Sequence, residues 1–110
     1  MIELRGYIDE QGNRRFANWL DALEHTAAAK VTIALTRMEQ GNLSNTKSVG
    51  SGIYEYKIDF GPGYRIYFGK DGKTLVILLG GGTKKRQPKD IATARACWAD
   101  YKGRKKLETQ

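Results

Sequence analysis

The chain has 110 residues, a formal net charge of +7 and a pI near 9.6. That length suits one domain with a single core, and the charge favours a polyanionic partner: RNA, DNA or an acidic protein surface. The opening Met1-Ile-Glu-Leu-Arg-Gly lacks a cationic start followed by an apolar stretch, and no run approaches the roughly 18 apolar residues that span a membrane. With a lone Cys97 that forms no internal disulfide, the expectation is a cytoplasmic protein.

Residues 2–8 read as a short strand, with Ile2 and Leu4 alternating against Glu3 and Arg5. Phe16, Trp19, Leu20 and Leu23 then take the i, i+3, i+4, i+7 spacing of an amphipathic helix that Asn13 can cap and that ends near His25. Thr26 can cap a second helix with Ala27, Val31, Ala34, Leu35 and Met38 on one face, stopped by Gly41 and Asn42. Residues 41–52 are polar and rich in Gly, Ser and Asn, so they read as a connection, with Lys47 in reach of a ligand.

Three antiparallel strands follow. Alternation puts Tyr54, Tyr56, Ile58 and Phe60 on one face of the first, with Glu55, Lys57 and Asp59 on the other. In the second, Tyr64, Ile66 and Phe68 oppose Arg65 and Tyr67. Gly61-Pro-Gly63 reverses the chain between them, and Asp71-Gly72 marks the next hairpin. The apolar run of residues 75–79 suits a strand covered on both faces, one whose free edge the N-terminal strand can join. After Gly80-Gly-Gly82, Pro88 suits the first turn of a last helix with Ile91, Ala94, Trp98 and Tyr101 near one face. The fold class is thus α+β, one domain over residues 1–101 in the order β-α-α-β-β-β-α. An antiparallel sheet carries its helices on one face, and residues 102–110 form a basic tail.

One Cys, one His and scattered carboxylates give no metal-ligand cluster and no nucleophile triad, and no metal or cofactor is expected. The glycine run lacks the spacing and Lys-Ser/Thr ending of a phosphate-binding P-loop. The chemistry instead gathers on the polar strand face. Lys57 and Arg65 point outward from neighbouring strands, and the third strand delivers Lys84, Lys85 and Arg86 to the same sheet. Like charges on adjacent strands need an anion, a carboxylate or open water between them; Glu55 or Asp59 would serve internally, and an RNA phosphate would serve externally. RNA cleavage by the neighbouring 2′-hydroxyl needs that hydroxyl deprotonated, charge stabilised on a five-coordinate phosphate, and a proton given to the leaving oxygen. Arg65 suits the second task. Lys57 or Lys84, each among other cations, suits proton exchange, with Glu55 the alternative base. Tyr67 is expected on the polar face, where it would stack on a base.

The joint pattern of Gly52-Ile-Tyr-Glu-Tyr-Lys-Ile-Asp59, Gly63-Tyr-Arg-Ile-Tyr-Phe68, Leu75-Val-Ile-Leu-Leu79 and Lys84-Lys-Arg86 resembles the RelE/ParE superfamily of type II toxin–antitoxin toxins. It is most similar to the HigB-like, phage-derived Gp49-like branch of addiction-module killer proteins. The resemblance implies a RelE-like fold and a metal-free, ribosome-dependent mRNA endoribonuclease that inhibits translation. It also implies neutralisation by a cognate antitoxin, commonly a helix-turn-helix DNA-binding protein. By position, Arg65 matches the arginine that contacts the scissile phosphate, Lys57 a lysine on the preceding strand, and Lys84, Lys85 and Arg86 the basic group after the last strand. Asp59 stands where some relatives carry a second lysine, and Ile91 is nearest to a tyrosine that opens their last helix. ParE-like relatives inhibit DNA gyrase on a similar fold, and a plain nucleic-acid-binding relative is a further alternative.

Overall fold

In the computed structural model, which describes residues 1–108, the elements run β1 (Glu3–Gly6), α1 (Arg15–Asp21), α2 (His25–Glu39), β2 (Thr46–Gly50), β3 (Ile53–Ile58), β4 (Tyr64–Asp71), β5 (Leu75–Thr83), a 3-10 turn (Lys84–Arg86) and α3 (Gln87–Glu108). One five-stranded sheet has the order β1-β5-β4-β3-β2. The expected antiparallel sheet is mixed instead. Three reversals carry β2 through to β5, and β5 then points the way β1 does, so β1 joins its free edge in parallel. The order also gains β2, which lies inside the segment expected to be a connection. As an edge strand with Lys47 and Ser48 exposed and only Val49 turned inward among its large residues, it carries no apolar alternation to betray it.

The helices cover both faces rather than one. Tyr56, Ile58, Ile66, Phe68, Val76 and Leu78 pack against Phe16 of α1 and Val31, Ala34 and Met38 of α2. On the reverse face Ile53, Tyr67, Ile77 and Leu79 pack under Ala94, Cys97 and Trp98 of α3. The three aliphatic residues in that second set make half of the reverse face too apolar to leave in water, and α3 removes it. As expected, residues 75–79 are covered from both sides.

A β-bulge changes the phase of β5. Phe68 pairs with Leu78 but Tyr67 with Gly80, so Leu79 has no partner across the ladder. Beyond it, Gly81 turns toward α1 and Gly82 toward α3. A Cβ on Gly81 would lie 2.4 Å from the Trp19 ring, and one on Gly82 would lie 1.9 Å from Asp90 Oδ2. The glycine run therefore admits close neighbours on both faces of the sheet.

Helix ends depart from the expected caps. Asn13 hydrogen-bonds to the Asp9 carboxylate instead, and α1 begins at Arg15 and ends at Asp21. For α2 the capping side chain is Glu24, which accepts from the backbone N–H groups of Thr26 (3.0 Å) and Ala27 (2.6 Å). At the other end of the chain, α3 continues through the basic run to Glu108. There Tyr7 donates to Asp100, which also accepts from Arg104, while Tyr101 and Lys105 both reach Asp71. Among the described residues, no helix is long and apolar enough to cross a membrane.

Candidate functional site

α3 covers only part of its sheet face. Past its first turn an open groove of about 650 Å³ remains, lined by Lys47, Glu55, Lys57, Arg65, Lys84 and Gln87 together with Asp59 and residues 44–46. Five sequence-predicted residues thus meet in one place: Arg65, Lys57, Lys84, Lys47 and Glu55. Strand register explains the first pair, because Lys57 sits directly opposite Arg65 on β3 and β4. Local backbone bonds fix the rest. Lys84 N–H donates to Gly63 O at 2.8 Å, drawing the 3-10 turn onto the β3–β4 turn, and Lys57 N–H donates to Asn45 O at 3.1 Å.

The groove has a buried floor and an exposed rim. Arg65 and Glu55 are expected to point into solvent, yet only 5% and 2% of their side-chain surfaces are open. The reason is lateral cover: Gln87 of α3 and the Gly63 turn close over them, and a Cβ on Gly63 would come within 3.1 Å of Arg65 Nη1. Gly63 itself has φ +78°, a left-handed conformation suited to glycine. Arg65 Nε stands 3.4 Å from Glu55 Oε1, Lys47 Nζ stands 3.6 Å from Glu55 Oε2, and Gln87 Nε2 donates to Glu55 Oε1. Arg65 Nη1 also reaches Tyr64 O at 3.4 Å, while its Nε–H has no acceptor at hydrogen-bonding geometry. Lys47, Lys57 and Lys84 are exposed around this floor. An internal carboxylate does stand between the cations, as one sequence reading allowed, but it leaves the three rim lysines facing an open groove.

Tyr67 leaves the expected site. It is 1% exposed beneath α3, and burial, with Glu55 opposite it across the strands, pushes its phenol above the ordinary value. It has no open face on which a base could stack. Arg86 turns away from the groove toward Asp90, Nε to Oδ1 3.9 Å, and Lys85 is exposed on the turn between. Gln87 is the groove residue that sequence reading missed. Nothing in its spacing marks it, and only the start of α3 against β3 brings it to Glu55.

The groove can accept an anion along its rim while Arg65 contributes from below, and the N-terminus of the 22-residue α3 adds its partial positive charge there. Comparison with known proteins agrees with the sequence pattern. The model of the family described as phage derived protein Gp49-like (DUF891) matches residues 18–98, which include Lys47, Glu55, Lys57, Arg65, Lys84 and Gln87. An uncharacterized protein of Haemophilus influenzae is 44% identical over 81 residues, a stretch covering 73% of this chain and 82% of that protein. The chain belongs to the phage-derived Gp49-like family, a RelE/ParE-like family of addiction-module killer proteins.

Proposed function

We propose that this chain is the toxin of a type II toxin–antitoxin pair and cleaves mRNA on the ribosome, neutralised by an antitoxin of the helix-turn-helix DNA-binding kind. The observation that carries the reading is an arginine at the floor of an open groove whose rim holds three exposed lysines. In the proposed reaction the 2′-oxygen bonds to phosphorus, the bond to the 5′-oxygen breaks, and a proton passes from the attacking to the leaving side. Arg65 and the lysine rim supply the positive charge that a five-coordinate phosphate demands. Proton exchange falls to Lys57 and Lys84, the cations bordering Arg65 that solvent reaches. Glu55, with its oxygens turned to Gln87, Arg65 and Lys47, serves chiefly to orient the guanidinium.

A second reading draws on that same carboxylate. If Glu55 balances Arg65 as a structural pair, a ParE-like toxin that inhibits gyrase without cutting RNA needs nothing further of the groove. Inducible expression in bacteria of wild type and a Lys57→Ala/Lys84→Ala double variant, with mRNA 5′ ends mapped soon after induction, separates the two. Arrest with new cuts inside translated frames, absent in the double variant, is the expected outcome. Arrest without cuts would move the reading to gyrase, and no arrest would leave a binding relative without toxicity.

A further inference from the structure

On the other side of the 3-10 turn lies a second cleft, of about 340 Å³. Arg15 and Trp19 of α1 form one wall, Arg86, Asp90 and Thr93 the other, and Gly80, Gly81 and Gly82 the floor between. Gly82 pairs across the ladder with Arg65, so this cleft adjoins the groove through one residue pair. Its charges are only partly answered internally, by the long Arg86–Asp90 ion pair. Arg15 is exposed and enters no hydrogen bond or ion pair with a described residue. Asp90 Oδ2 is buried without a hydrogen-bond partner, and the distance from its Oδ1 to Arg86 Nε exceeds a hydrogen bond. Burial accordingly pushes the Asp90 pKa up, against the opposing pull of Arg86 and Arg15.

A carboxylate with no hydrogen-bond donor calls for N–H groups, and Arg15 without a partner beside Arg86, held to Asp90 only by a long ion pair, leaves positive charge for an anion. A simple phosphate satisfies the arginines but meets Asp90 charge against charge. A cationic group has the opposite fault. A nucleotide carries both halves, and guanine presents two adjacent donors, N1–H and the 2-amino group, in the spacing a carboxylate accepts. We propose that this cleft binds one nucleotide, guanine by preference, with Asp90 accepting from the base and Arg15 and Arg86 receiving the phosphate. Read with the nuclease function above, on which this clause rests, it is the nucleotide beside the scissile phosphate, and Asp90 sets base preference at the cut.

The test is an NMR titration of the full chain with GMP, AMP, CMP and UMP, following the amides of Gly80, Gly81 and Gly82. GMP is expected to shift them at the lowest concentration. Asp90→Asn should weaken GMP roughly tenfold with little effect on UMP, and Arg15→Gln should weaken all four alike. The spectrum of each variant reports its folding, and Asp90→Ala provides a second check. Equal response to all four nucleotides, a GMP response unchanged in both Asp90 variants, or shifts confined to Lys57 and Lys84 would overturn the proposal. No ribosome is involved, so the two readings fail separately: GMP binding without mRNA cuts removes only the nuclease, and cuts without guanine selectivity here remove only this cleft.

Discussion

Glu55 and Arg65 meet at 3.4 Å on adjacent strands, each with about one-twentieth or less of its side chain open to water, at the base of a groove whose other cations are exposed. A buried pair of this kind offsets its own desolvation only while both members are present. Arg65→Ala should therefore lower unfolding free energy by ~3–5 kcal/mol, reduced to the extent that Lys47 moves to cover Glu55. Replacing both residues, as Glu55→Gln with Arg65→Met, should recover most of that loss. Urea denaturation of the three proteins checks this, and a single variant as stable as wild type would show the pair to be well hydrated.

Gly69 and Trp98 are in close approach on the α3 side, where a Cβ on Gly69 would lie 2.6 Å from the indole. Gly69→Ala should cost about 1–3 kcal/mol through overpacking, and Trp98→Ala about 3–5 kcal/mol through the cavity it leaves. Gly69→Ala combined with Trp98→Ala should cost less than the two single losses added together, because removing the indole vacates the clash. Strict additivity in thermal melts would place the damage elsewhere than in this contact.

The clamps at the far end of α3 make stability depend on acid. Hydrogen bonds from Lys105 and Tyr101 hold the Asp71 carboxyl below its ordinary pKa, and that from Tyr7, with help from Arg104, does the same for Asp100. A depressed carboxyl contributes stability above its unfolded value, near pH 4, and loses it as pH falls through the folded value. Melting temperature should drop below about pH 4, and Asp71→Asn with Asp100→Asn should flatten that acid limb while lowering the plateau at neutral pH. A limb of unchanged steepness in the double variant would assign acid sensitivity to other carboxylates. At the alkaline end the sign reverses. Tyr7 and Tyr101, both pushed up to about 12, keep their contribution below their ordinary value of 10 and lose it as pH rises through the shifted one.

The α1/α2 face and the apolar side of α3 were legible from local periodicity, which puts Phe16, Val31, Met38, Ile66 and Trp98 where they lie, and the doubly covered β5 from its unbroken apolar run. The parallel pairing of β1 was half legible, its neighbour evident and its direction not, since direction depends on how many reversals intervene. The site was legible as a list and not as an arrangement. Alternation assigns Lys57, Arg65 and Tyr67 to one face correctly, but says nothing of where a helix from 20 or more residues downstream will lie across that face. Its path buries Tyr67, leaves Lys57 open and brings Gln87 to Glu55.

The unpaired Leu79 acts on β5 as an extra letter acts on a coded message. Up to Leu78 the strand alternates in step with β4, and after it every residue presents the opposite side from the one its number would indicate. Removing that one residue would leave Gly80, Gly81 and Gly82 opposite Tyr67, Ile66 and Arg65 in an unbroken ladder, with Gly81 still toward Trp19 and Gly82 still toward Asp90. Between residues 75 and 84 it is the pairing with β4, and not position in the count, that decides which face a residue presents. The ladder can lose Leu79 and keep its facing, whereas a side chain at Gly81 or Gly82 has no room at all.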